Sequence, residues 1–157
     1  MKNCYRALLG LAFCLPLHAA DTPSNMGESP LDGAREAIAQ KNWVGALNSL
    51  LAIAPEQTSS ADFHNLMGYV LRHQKQPNMV AVLDHYDRAL AINPGHRQAR
   101  EYLGQAWLML HCPKKAAKQL VTIQSLCGST ECEEWQDLQA ALVAYQNPNR
   151  HSCSISR

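Results

Sequence analysis

Along this chain, apolar positions step by four and then by three, and the same step recurs three times. Ala46, Leu50 and Ile53 form the first set, Val82, Tyr86 and Ala89 the second, and Ala116, Leu120 and Ile123 the third. Such spacing gathers each set on one helical face, because side chains three and four residues apart stack over successive turns. The first two sets lie 36 residues apart. A second periodic segment precedes each of the later sets: "HNLMGYVLRHQ" (64–74) aligns with "REYLGQAWLML" (100–110), putting Met67-Gly68 over Leu103-Gly104 and Leu71 over Trp107. The pattern predicts tandem pairs of helices in three units, 27–60, 61–96 and 97–130.

Breakers fall where the pattern needs them. Pro94 follows "AIN" and cannot continue a helix, while Asn93 and Gly95 suit a turn. Gly68 and Gly104 fall inside predicted helices, where Gly costs ~1 kcal/mol relative to Ala, so their recurrence at one repeat position predicts a close helix approach. Met67, Tyr86 and Trp107 read as core. Beyond the third unit, "TECEEWQDLQAALVAYQNP" predicts a capping helix over 131–147, with Trp135, Leu138, Leu142 and Tyr145 along one side. Thr130 is its expected N-cap, paired with Glu133 in a capping box, and Glu131, Glu133 and Glu134 complement the helix dipole. Asn147-Pro148 ends it, leaving a tail over 148–157.

These features resemble the tetratricopeptide repeat family, whose unit is a helix-turn-helix of about 34 residues. The middle unit carries the resemblance through Gly68, Tyr86, Ala89 and Pro94, and the third through Leu103, Gly104, Trp107 and Ala116. The first departs from it, with Ala34 in the glycine's place, although Trp43 and Ala46 fit. The middle unit also has two extra residues around "HQKQPN". The resemblance implies an all-α fold: a right-handed solenoid of about three helix-turn-helix units plus a C-terminal capping helix. It further implies a concave groove, lined by first helices, that binds a peptide or helix of a partner protein. The positions expected to face it are Arg35, Asn65, Tyr69, Arg72, His73, Glu101, Gln105 and Met109. The Lys and Asn set that some members use to hold a C-terminal carboxylate is missing.

Charge and export narrow the function. The chain opens "MKNCYRALLGLAFCLPLHAAD": a basic start, an apolar run from Ala7 to Leu17, and small residues at Ala19 and Ala20. Residues 1–20 therefore read as a signal peptide, with 21–26 a flexible N-terminus, and the apolar run is shorter than the roughly 20 residues that span a bilayer. Acylation at Cys14 is the lesser alternative, since bulky Phe13 sits where a lipoprotein signal takes a small residue. Loss of Lys2 and Arg6 with the signal leaves 12 basic against 13 acidic residues. With no basic run, neither nucleic acid nor an anionic membrane surface is an expected partner. No phosphate loop, nucleophile elbow, metalloprotease or haem motif is present, and neither a cofactor nor a resident metal is expected. The expectation is an exported, periplasmic, non-enzymatic interaction module that supports assembly of an envelope complex.

Four cysteines remain after the signal: Cys112, Cys127, Cys132 and Cys153. In an oxidising compartment the first expectation for Cys127 and Cys132 is a structural disulfide at the junction of the last repeat and the cap, with Gly128 left-handed between them. Two alternatives stand beside it. Cys132 is a candidate redox thiol, though three adjacent carboxylates oppose the dipole that would lower its pKa. Alternatively, Cys127, Cys132 and Cys112 hold a metal. Either would make this a thiol-redox or metal-handling protein. Pairing of Cys112 with Cys153 requires the tail to fold back. His64, His73, His85, His96 and His151 form no ligand pattern and read as helix-surface residues.

Overall fold

A computed structural model describes residues 29–145 and Cys153. The expected signal peptide, the segment 21–26 and the tail apart from Cys153 lie outside the described residues. Within them the chain forms seven α-helices and no strand: α1 (Asp32–Ala39), α2 (Trp43–Ile53), α3 (Ala61–Arg72), α4 (Met79–Ile92), α5 (Arg97–Met109), α6 (Pro113–Cys127) and α7 (Glu133–Ala144). A single 3-10 turn, Ala54–Glu56, extends α2.

Local chemistry starts most of these helices. The side chains of Asn42, Ser60 and Asn78 each accept the backbone N–H three residues on, at 2.9, 3.1 and 3.3 Å. His96 does the same through Nδ1 for the Ala99 N–H. Each such bond satisfies one of the donors that a helix start leaves unpaired. At α6 Pro113 occupies the first turn, where its missing N–H costs nothing. Gly128 ends α6 at φ 68°, the left-handed conformation expected of it.

α1 packs on α2, α3 on α4 and α5 on α6, while α2 meets α3, α4 meets α5, and α7 lies on both α5 and α6. Two apolar clusters result. Leu31, Ala34, Ala46, Leu50, Phe63, Met67 and Val70 join α1, α2 and α3. Val82, Leu83, Tyr86, Leu103 and Trp107 join α4 and α5 to Cys112 and Ala116 at the start of α6. Leu71 touches both clusters. Leu50, Leu83, Ile123 and Leu138 are fully buried, each contributing about 1.5–3 kcal/mol over an exposed position.

The two helical glycines are spaces for neighbours. A Cβ at Gly68 would stand 2.7 Å from the Tyr86 ring of α4, and one at Gly104 would stand 2.6 Å from both methyls of Leu138 in α7. Gly68 thus closes a contact within its own helix pair, whereas Gly104 makes room for the capping helix.

The cap itself begins later than its sequence pattern indicates. Cys132, not Thr130, is the N-cap of α7, and it makes no side-chain cap bond. The chain between Gly128 and Cys132 is held instead by the Ser129 hydroxyl, which accepts the Glu131 N–H, and by the sulfur bond described below. Glu131 therefore lies outside the helix, leaving Glu133 and Glu134 in its first turn. One expected surface histidine is also misplaced: His64 is buried, with Nε2–H donating to the Thr58 carbonyl and Nδ1 facing His85 Nδ1 at 3.0 Å. Burial, then the neighbouring His64, lowers the His85 pKa to about 4.

Candidate functional site

The first helices of the three pairs, α1, α3 and α5, together form a cleft of about 230 Å³. Arg35 and Ile38 come from α1, Leu66 and Tyr69 from α3, Gln98 and Tyr102 from α5. Each pair sits three or four residues apart on its helix, so both members present to the same side.

Beside this cleft four rings form a contiguous cluster. Tyr69 lies 4.5 Å from Tyr102 and 4.3 Å from His73, centroid to centroid, and Trp43 stacks on His73 at 4.4 Å with an interplanar angle of 21°. The Arg72 guanidinium stands 5.5 Å from the Tyr69 ring and 5.6 Å from the Tyr102 ring. Such cation–π contacts are worth about 0.5–2 kcal/mol, most where water is excluded. His73 Nδ1–H donates to the Tyr69 carbonyl at 2.8 Å. Burial lowers the pKa of this ring; the carbonyl works against that shift, and Arg72 adds to it. The stack is therefore uncharged at His73 and cationic at Arg72.

Two of the expected groove residues are not at the surface. Asn65 is 1% exposed, and its Nδ2 donates to Gln98 Oε1 at 2.8 Å, joining α3 to α5. Glu101 is 5% exposed and accepts from Gln105 Nε2 at 2.7 Å. Both face inward because α5 packs on α3 and α7 as well as on α6. Burial is the first cause that raises the Glu101 pKa to about 8; Asp137, Glu134 and Glu133 of α7 raise it further and Arg72 lowers it. A carboxyl in that setting is largely neutral at pH 7 and can donate as well as accept.

Of the remaining positions, Tyr69, Arg72 and His73 come together in the ring cluster, and Arg35 shares the cleft with Tyr69. Arg35 is exposed and ion-paired, with Nη1 at 3.0 Å from Asp32 and Nη2 at 3.6 Å from Asp62. His96 Nε2 shares Asp62 at 3.0 Å. Met109 is exposed at the end of α5.

Ile38, Leu66, Gln98 and Tyr102 complete the cleft without having been singled out in the sequence, and Trp43, which the sequence marks only as a repeat position, joins the ring cluster. For Tyr102 a signal was available, since the offset of 36 that aligns Gly68 with Gly104 also aligns Leu66 with Tyr102.

At the other end of the molecule the cysteines are paired. Cys127 is bonded to Cys132, with Cα atoms 6.3 Å apart, and Cys112 to Cys153, with Cα atoms 4.6 Å apart. Cys127, Cys132 and Glu134 are the one group of possible metal ligands among the described residues. Its two sulfurs are bonded to each other, and Glu134 pairs with Arg97 Nε at 3.3 Å. His111 Nδ1 lies 3.2 Å from the Tyr145 hydroxyl, beside Cys112.

Neither protein-family models nor curated proteins give a match to this chain.

Proposed function

We propose that this protein is an exported, non-enzymatic interaction module of the tetratricopeptide type, arranged as a solenoid, that holds a segment of a partner protein against its first helices. The observation that carries the reading is the cleft between α1, α3 and α5, bounded by the Tyr69–Tyr102 pair and Arg72. Rings packed at a tilt with a guanidinium beside them offer apolar area and hydrogen-bonding tips at little cost in side-chain entropy, as protein interfaces do. The 36-residue recurrence of Gly68 at Gly104, and of Val82 after Ala46, supports the repeat assignment. The N-terminal apolar segment and the paired cysteines support export to an oxidising compartment such as the periplasm.

The test is a double substitution, Arg35→Ala with Tyr69→Ala, leaving Arg72 in place because Arg72 offsets the buried Glu101. Crosslinking in the native envelope followed by capture should recover a partner with the parent chain. The variant should lose it while keeping its helical spectrum and a cooperative melt, at a melting temperature lowered only by the loss of the Tyr69 ring contacts, since Arg35 is exposed and Tyr69 half-buried. Undiminished capture would move the interaction surface off the first helices.

A further inference from the structure

The two disulfides differ in what surrounds their sulfurs. Cys112 is 3% exposed, and its bond to Cys153 closes a sequence separation of 41. Cys127 and Cys132 are half-buried within a run of exposed residues, Leu126, Gly128 to Glu131 and Glu133, and they close a separation of only 5. The shorter ring contributes less to the fold, so the fold in return protects it less from reduction. Access for an incoming thiol favours the same bond.

Charge divides this exposed pair unequally. Arg97, the first residue of α5, brings Nη1 to 3.7 Å from Cys127 Sγ while its Nε holds Glu134 at 3.3 Å. Cys132 lies between Glu131 and Glu133 in the chain, with Glu134 following. The helix termini act in the opposite sense, since each carries only about half a charge, negative at the end of α6 and positive at the start of α7. A whole guanidinium charge against Cys127 outweighs the first, and the carboxylates flanking Cys132 outweigh the second. A thiolate is therefore better accommodated at Cys127 than at Cys132.

We propose that the Cys127–Cys132 bond is a thiol-exchange site, at which an external thiolate attacks Cys132 and Cys127 departs. The entering sulfur bonds to Cys132 Sγ as the bond between the two protein sulfurs breaks, and its electron pair leaves on Cys127 beside Arg97. Departure is faster the lower the pKa of the leaving thiol, which sets the direction of attack. The product is a mixed disulfide on Cys132 and a thiolate at Cys127. A second thiol then displaces Cys132: the reductant is oxidised to its own disulfide and the protein pair is reduced by two electrons. This chemistry lies beyond the binding reading and does not depend on it.

The test treats the full oxidised chain with 2-mercaptoethanol, an uncharged thiol, quenches at intervals with excess N-ethylmaleimide, and maps the peptides. At early times Cys132 should carry the mercaptoethanol and Cys127 the maleimide, in clear excess over the reverse, before any label reaches Cys112. Arg97→Gln should slow the opening by about threefold or more and even out the two products. Arg97→Lys keeps the cation and should keep the preference, and both variants should retain the parent's helical spectrum because Arg97 is exposed. Raising the salt to about 1 M should narrow the preference in the parent, as screening of an exposed charge requires. Adducts on Cys127 or divided equally in the parent, prior opening of the Cys112–Cys153 bond, or Arg97→Gln reacting as the parent does would each overturn the assignment.

Discussion

Three glycine-to-alanine substitutions measure how closely the helices are packed. In a helix interior Ala is favoured over Gly by ~1 kcal/mol, so any net loss reports the neighbour. At Gly33 the nearest atom to a new Cβ is Ser49 Oγ at 3.9 Å, ordinary contact, and Gly33→Ala should stabilise by up to ~1 kcal/mol. At Gly68 the new carbon meets three Tyr86 ring atoms at 2.7, 2.9 and 2.9 Å. Carbon contacts are optimal near 3.5–4.0 Å, and Tyr86 is a rigid, fully buried ring, so α3 or the ring must back away by roughly 1 Å. Overpacking of that kind costs about 1–3 kcal/mol, and against a rigid ring the upper part of that range applies, leaving a net loss of up to ~2 kcal/mol after the propensity gain. At Gly104 the obstacle is the methyl end of Leu138, at 2.6 Å, which can rotate at a smaller cost. Urea unfolding of the oxidised protein should rank the midpoints Gly33→Ala, parent, Gly104→Ala, Gly68→Ala in descending order, at constant m-value. Gly68→Ala as stable as Gly33→Ala would refute the close approach of α3 to α4.

The Glu101 carboxyl should make the protein more stable in acid than its composition indicates. Its folded pKa of about 8 lies above the free value of 4.5, so between these pH values the unfolded chain holds fewer protons, and stability falls as pH rises through the window. Glu101→Gln keeps the bond from Gln105 and removes the titration. Its melting temperature should exceed the parent's by a margin that widens from pH 5 to pH 9, and a pH-independent margin would contradict the burial argument. Replacing the cysteine pairs should show the effect of ring size. Cys112→Ser with Cys153→Ser opens a ring of sequence separation 41 and should cost about 4 kcal/mol. The Cys127–Cys132 pair, at separation 5, should cost about 2 kcal/mol in the same loop-entropy treatment. Non-reducing peptide mapping should recover both linked pairs, and a larger loss from opening the shorter ring would contradict the ranking.

The all-helical character was legible because it rests on periodicity alone: Ala46, Val82 and Ala116 are each buried on the stripe that their spacing marks. Met67, Tyr86 and Trp107 were legible as core for the same reason. The site was legible only in part. A spacing rule gives the side of a helix but not the depth of its neighbours, so Asn65 and Glu101 fall on the expected face and are nevertheless covered by α5 and α7. Tyr102 and Trp43 belong to the stack through contacts between helices, which no single-helix pattern encodes. The Thr130 cap failed on a similar point, because the bond between Cys127 and Cys132 fixes the path into α7.

The link between Cys112 and Cys153 also decides how the molecule bears tension. A pull applied beyond Cys153 passes through the sulfur bond to Cys112, at the end of the α5–α6 turn, and bypasses everything between. α6 and α7 then hang as a slack covalent ring that no force from the chain ends can stretch. The helices α1 to α5, which carry the groove, take the whole load. Tension would therefore open the cleft between α1, α3 and α5 before it disturbed the cap, and a single protease cut within 113–152 would leave both fragments joined.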